Sequence, residues 1–218
     1  MVRFKYFIIL SGLIVALMVS IGSYIPRVEE SENIMIYDIS NLNNVKIVKA
    51  YAIYPSIMYK SLTYQKLLSE RDLIAIVEIS YPIKTYHVIE KNFYFTLYKA
   101  KVIKVIKGPK NISEIYLYQI GGYKPERNVF WTLEGLPVFK PGEKWLLFMK
   151  KMTYEMNAKI NLPPNTYHAG GLEAIKVING RVYSMDNFEK IAEIVLPEQL
   201  KVKGIQLQEF INSILTKP

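Results

Sequence analysis
The 218-residue chain has no cysteine and only two histidines, His87 and His168. Without cysteine there is no disulfide, thiolate zinc site, thiol nucleophile or redox pair, so an exported domain of this sequence must be held by its core alone. The cysteine that a bacterial lipoprotein anchor requires is missing as well. Neither histidine lies in a short-spaced ligand motif. Both are expected as ordinary surface or satisfied side chains, His87 in a hairpin loop and His168 after Tyr167 in a strand. No Gly-x-Ser-x-Gly occurs, and nothing marks Ser56, Ser61 or Ser184 as activated. Glu134 and Glu173 are candidates for the paired carboxylates of glycoside hydrolysis, although spacing alone does not set them across a cleft. Gly121-Gly122 and Gly170-Gly171 lack the helix and lysine-serine pattern of a phosphate loop and are expected as tight turns. The sequence therefore nominates no catalytic, cofactor-binding or metal-ligating residue and implies no cofactor. Internal repeats and low-complexity segments are not evident either.

What the chain has in quantity is apolar and aromatic surface. Half of its residues are hydrophobic and 17 are tyrosine. That supplies a sizeable core and favours strands, because branched and aromatic side chains fit a pleated, half-buried surface. The net charge is +9, which suits solubility and attraction to anionic surfaces. The lysines are spread along the chain, and a nucleic-acid partner is not expected.

Tyr6 to Ile25 (YFIILSGLIVALMVSIGSYI) runs for 20 residues without a charge. As a helix it would span roughly 30 Å, the thickness of a bilayer's hydrocarbon core. Its predicted spanning residues include Tyr6, Ile8, Leu10, Leu13, Val15, Leu17, Val19, Ile21 and Ile25. Arg3 and Lys5 precede it, and Glu29, Glu30 and Glu32 follow. The positive flank should stay cytoplasmic and send the rest of the chain across. The expectation is one N-terminal transmembrane helix with the C-terminal domain outside the cell membrane. The alternative is a signal helix, cut after small residues such as Ser20 and Gly22, with the domain secreted.

Beyond that segment (1–25), residues 26–58 are expected as a stalk with a candidate short strand after Val45. Residues 59–185 form the predicted β domain, and 186–218 add C-terminal helices packed on it. Ser61–Glu70 suits a short helix capped by Ser61. Leu73–Ser80 is a compact apolar run suited to a central strand. Asn92–Gly108 alternates, slips near Val102-Ile103 and resumes, as a β-bulge would require. Ile112–Ile120 and Lys144–Met149 follow as strands, the latter after a Pro141-Gly142 turn. Ala174–Tyr183 places two apolar runs around Asn179-Gly180, the signature of a type I′ hairpin. Helices are expected at Asn187–Val195 and Leu207–Leu215, the second with Phe210, Ile211, Ile214 and Leu215 on its buried stripe. The fold class is mainly β with short helices, a β-barrel of OB-like type.

Several of these segments carry a family resemblance. The strand "DLIAIVEI", then "FTLYKAKVIKVIKGPKNISEIYLYQIGG", "PVFKPGEKWLLFM" and "YHAGGLEAIKVINGRVY" together resemble the OB-fold, netrin-like domain. That domain occurs in tissue inhibitors of metalloproteinases and in prokaryotic secreted relatives. The resemblance covers about residues 60–185, and its most specific pieces are Val105–Gly108 and Pro141–Phe148. It implies an OB-type barrel in an extracellular setting, with regulation of an extracellular protease as a second expectation. In those inhibitors a free N-terminal cysteine chelates the protease's zinc; this chain has no cysteine, so that chemistry does not carry over.

Two surface features remain. Lys99, Lys101, Lys104, Lys107 and Lys110 form a basic stripe beside Tyr94 and Tyr98. The pattern resembles the interleaving on which OB-folds stack single strands, but is better read as a solvated strand face. Glu126–Phe139 reads as an apolar loop whose Phe130, Trp131, Leu133 and Leu136 are either a plug closing the barrel end or a contact for an envelope protein partner. The functional expectation is a non-catalytic extracytoplasmic binding module. A protease regulator and an enzyme of unrecognised type, gathering His168 and Glu173 in a polar cleft, are the alternatives.

Overall fold
The computed structural model describes residues 34–39, 46–50, 63–89, 92–133, 136–152, 160–169, 174–184 and 200–216. All of them belong to the compact unit Asn33–Pro218. The 6–25 segment, Glu134, Gly170-Gly171, Glu173 and the Asn187–Val195 helix lie outside the described residues. Among the described residues no helix is long and apolar enough to cross a membrane.

The described chain is mainly β. It opens with β1 (Ile34–Asp38) and β2 (Lys46–Ala50), then a short helix α1 (Tyr64–Glu70). A long ribbon follows, β3 (Leu73–Val88) and β4 (Phe93–Lys107), then β5 (Glu114–Ile120). Next come the short pair β6 (Gly122–Lys124) and β7 (Val129–Leu133), then β8 (Lys144–Lys151) and β9 (Thr166–Ala169). The hairpin β10 (Ile175–Ile178) and β11 (Arg181–Ser184), the strand β12 (Lys203–Gln206) and the helix α2 (Leu207–Thr216) complete it.

Two sheets result. The larger runs β1-β3-β4-β5-β9-β8-β10-β11-β12, and β3 also pairs β8, so the pairings β3–β4–β5–β9–β8 lead back to β3. Four of those five pairings are antiparallel and one, β5 with β9, is parallel. The smaller sheet is β2-β7-β6, with β2 parallel to β7.

The physical reasons are local where the sequence was legible. Asn179 and Gly180 take φ of 49° and 74°, the double positive φ of a type I′ turn. The slip in β4 is a pair of bulges: Lys104 and Val102 face Ile76 and Val77, while Lys107 and Val105 face Ile74 and Ala75. Ile103 and Ile106 are the extra residues, and Lys99, Lys101, Lys104 and Lys107 consequently stay on one face. The turn at Pro141-Gly142 docks on β3, where the Gly142 N–H donates to the Ile79 carbonyl (2.8 Å) and the Ile79 N–H to that of Glu143 (2.9 Å).

Elsewhere the structure corrects the expectation. The first helix starts at Tyr64, and its cap is Thr63, whose hydroxyl accepts from the Lys66 N–H at 3.2 Å. Strand β3 does not stop at Ser80 but continues through Pro82 to Val88, facing β4 along its whole length. Register shifts flank Pro82, where a residue without an N–H is tolerated. Residues 34–38, read as stalk, pair in register with Lys84–Val88 as β1. The Glu126–Phe139 loop contains a strand, β7. On α2, Phe210, Ile211 and Ile214 are buried, whereas Leu215 is 53% exposed, because at 100° per residue it lies roughly 90° from the centre of the stripe.

Two apolar cores form. The first is largely aliphatic and gathers Ile74, Ala75, Val77, Ile115, Leu117, Leu146, Leu147 and Phe148 with Leu67 of α1 and Phe210, Ile211 and Ile214 of α2. The second is aromatic and lies against the far half of the β3–β4 ribbon. There Tyr86 stacks on Phe95 (4.6 Å) and Phe95 touches Tyr118 (4.5 Å), with Met152 and Leu162 in the same cluster. Burial pushes the Tyr118 phenol up to about 12 and the Tyr98 phenol, in the first core, further still.

Candidate binding site
The cycle of strands positions an open, polar pocket at one of its ends. There the β4–β5 connection meets the turn before β9, and a space of about 470 Å³ lies between them. Asn111, Glu114, Tyr116, Lys151, Asn165 and Tyr167 line it among others. Several are held by the fold. The Tyr116 N–H donates to the Asn165 carbonyl at 3.1 Å, fixing the turn against β5. The Thr166 hydroxyl donates to the Pro163 carbonyl at 2.6 Å, and the Lys151 N–H to the Asp72 carboxylate at 2.8 Å. Glu114 is ion-paired with Lys99 at 2.9 Å, and the hydrogen bond that Lys99 donates to Glu114 raises the Lys99 pKa. Tyr167 is almost wholly buried. Burial, and then the Asp72 carboxylate, raise its pKa, so it remains a neutral hydroxyl. The pocket therefore offers amides, phenols and an ammonium around a carboxylate already matched by a lysine. That set favours hydrogen bonding to a polar ligand, and the volume falls within the roughly 300–1,000 Å³ of small-molecule sites.

A second cluster joins the two sheets. His87, half-buried in β3 and not in a loop, stacks on Tyr94 with ring centres 3.9 Å apart and planes 8° from parallel. The Lys124 ammonium lies 4.6 Å from the centre of Tyr94 and 5.1 Å from that of Trp131, a cation held between two rings. Both His87 ring nitrogens are buried without a hydrogen-bond partner. Beneath the cluster, Thr96 donates to the Gly121 carbonyl (2.9 Å). With that proton used, Thr85 must donate to Thr96 (3.2 Å), and it accepts from the Tyr123 N–H (3.0 Å). Gly122 is where the chain crosses between sheets. A Cβ there would meet the Thr85 Cγ2 at 2.3 Å, which only glycine avoids.

The residues nominated from sequence fall in different places. Phe130 is half-buried and packs against the first core, and Trp131 is the half-buried ring over Lys124. Leu133, the last residue of β7, is half-buried, and Leu136 is buried. The Gln119 amide donates to the Pro137 carbonyl at 2.6 Å, and Phe139 meets Tyr98 and Trp145 edge-on. Of the basic stripe, Lys99 pairs with Glu114, Lys104 donates to Gln208 and Lys107 donates to the Leu68 and Ser69 carbonyls at the end of α1. Lys101 and Lys110 are exposed. His168 sits in β9, 5.8 Å from the Tyr118 ring. Ser184 is a structural fastener, donating to the Val202 carbonyl and accepting from the Val202 N–H. Among the described residues no group of three histidine, aspartate or glutamate side chains is placed to hold a metal ion.

Sequence reasoning missed the pocket because its walls come from three separate segments, residues 109–116, Lys151 and residues 164–167. No family model, no curated protein and no solved structure matches this chain.

Proposed function
We propose that the chain is a non-catalytic extracytoplasmic binding module, anchored in or exported through the cell membrane by residues 6–25, whose five-strand cycle is an OB-type barrel. The observation that carries the reading is the pairing order, which returns to β3 with one parallel step between β5 and β9. That order is what a small Greek-key barrel needs to close, and barrels of this type bind ligands on the face of their second and third strands and at the connecting loops. In this chain β4 and β5 are the second and third strands of the cycle. The polar pocket is built on their connection and on the loop between the fourth and fifth, β8 and β9.

The test is a thermal-shift screen of the full-length protein in detergent micelles against small polar peptides and saccharides. A ligand whose stabilising effect disappears in the Tyr116→Ala, Lys151→Glu double variant supports the reading. Turnover of any substrate in a hydrolase panel, lost on a single carboxylate or histidine substitution, overturns it. Full-length protein found freely dissolved in the cytosol overturns the export half.

A further inference from the structure
Of the 13 asparagines in the chain, only Asn111 is followed two residues on by serine or threonine with no proline between. The triplet is Asn111-Ile112-Ser113, the acceptor pattern for N-linked glycosylation. Three letters recur by chance, so placement decides whether the pattern can be used. A usable acceptor lies on an exposed turn, where a bulky group displaces nothing.

This triplet occupies the connection between β4 and β5. Asn111 and Ser113 are both exposed, whereas Ile112 between them is half-buried and packs against the first core. The Val102 N–H donates to the Ser113 carbonyl at 2.9 Å. The middle side chain and the backbone thus fix the connection, and the two side chains that define the acceptor stand clear of it. Among the described residues neither of those side chains has a hydrogen-bond partner to lose.

We propose that Asn111 is a glycosylation site, modified by a transferase that draws on a lipid-linked saccharide phosphate. The inference rests on the export half of the reading above, because such acceptors are used in exported chains. In the transfer, the bond from the anomeric carbon to the phosphate oxygen breaks and a bond from that carbon to Asn111 Nδ2 forms. Nδ2 gives up one proton to a base of the transferase, and the lipid phosphate leaves with the electron pair. A carboxamide nitrogen is a poor nucleophile because its lone pair is shared with the carbonyl. The transferase must therefore grip the acceptor closely, and the Ser113 hydroxyl is its second handle. Asn111 also lines the polar pocket, so the first sugar would stand beside that opening.

The test is peptide mass spectrometry on the full-length protein purified from its native cells, with protease added outside intact cells to report export. A saccharide mass on the peptide carrying Asn111 is expected. It should vanish in Asn111→Gln and in Ser113→Ala, and persist in Ser113→Thr. Asn165 is exposed beside the same pocket but is followed two residues on by Tyr167, and should stay bare. An exported protein with a bare Asn111 overturns the proposal and leaves the export reading standing. So does a saccharide mass that survives Ser113→Ala or is found on Asn165. Protein that is sheltered from the protease and bare at Asn111 overturns both.

Discussion
The β3–β4 ribbon has two halves that are buried by different means. From Leu73 to Ile79 it lies in the strand cycle, β8 on one edge and β4 on the other, over an aliphatic core that both helices help to cover. From Tyr81 to Val88 it leaves β8 behind, takes β1 as neighbour, and is covered by aromatic rings on one face and by the small sheet on the other. The first half is buried by contiguous apolar sequence. The second contains Pro82, Lys84, Thr85 and His87, and its buried residues Thr85, Tyr86 and Val88 are covered because other segments fold onto it. A core can thus be extended past its own hydrophobic run where buried hydroxyls such as Thr85 and Thr96 are given hydrogen-bond partners, with the His87 nitrogens as the unsatisfied exception.

Core truncation breaks the comparison hardest. Phe148→Ala in the first core and Phe95→Ala in the second should each cost about 3–5 kcal/mol in denaturant unfolding. If the halves are one cooperative unit the two losses register at the same midpoint transition; separate transitions would divide them. Gly122→Ala acts on the far half alone. The added methyl collides with Thr85 and should cost about 1–3 kcal/mol, with faster amide exchange in β6 and β7 but not in β8.

Alkaline titration is next in size. Tyr98 and Tyr118 hold their protons in the folded protein above the range where an unfolded tyrosine ionises. Their contribution is complete below about pH 10 and is lost as pH rises towards the folded values. Stability should fall there by about 1.4 kcal/mol per pH unit for each phenol. A flat profile to pH 11 in urea melts would contradict the burial of both rings. Smallest are two surface-side changes. His87→Phe keeps the stack on Tyr94 and removes two unpaired buried nitrogens, so it should stabilise by about 1 kcal/mol. Lys107→Met removes the cation at the end of α1 and should cost about 0.3–1 kcal/mol, read as a lower melting temperature.

The two halves also differ in how far the sequence reveals them. The half in the strand cycle was legible: Leu73–Ser80 and the last part of Asn92–Gly108 are specified by local pattern and appear as strands, as does the Asn179-Gly180 hairpin beside them, although β3 runs on to Val88. The far half was not. Nothing local distinguishes Thr85 and Thr96 from solvent-facing threonines, and their burial depends on Gly121 and Tyr123 arriving from β5 and β6. Strand β7 hid in a segment rich in proline and glycine, and β1 hid because its partner was itself unseen. The candidate pocket was invisible for the same reason, since Tyr116, Lys151 and Asn165 have no sequence relation to one another.

Strand β1 is the first described strand of the chain, yet it is not among the five strands whose pairings return on themselves. If residues 6–25 anchor the chain in lipid as proposed, tension between membrane and domain reaches β1 before any other described strand. Five registers with β3 would part first, and the remainder could stay folded. In that anchored chain β1 would serve as a mechanical fuse, yielding under pull and re-forming when slack returns.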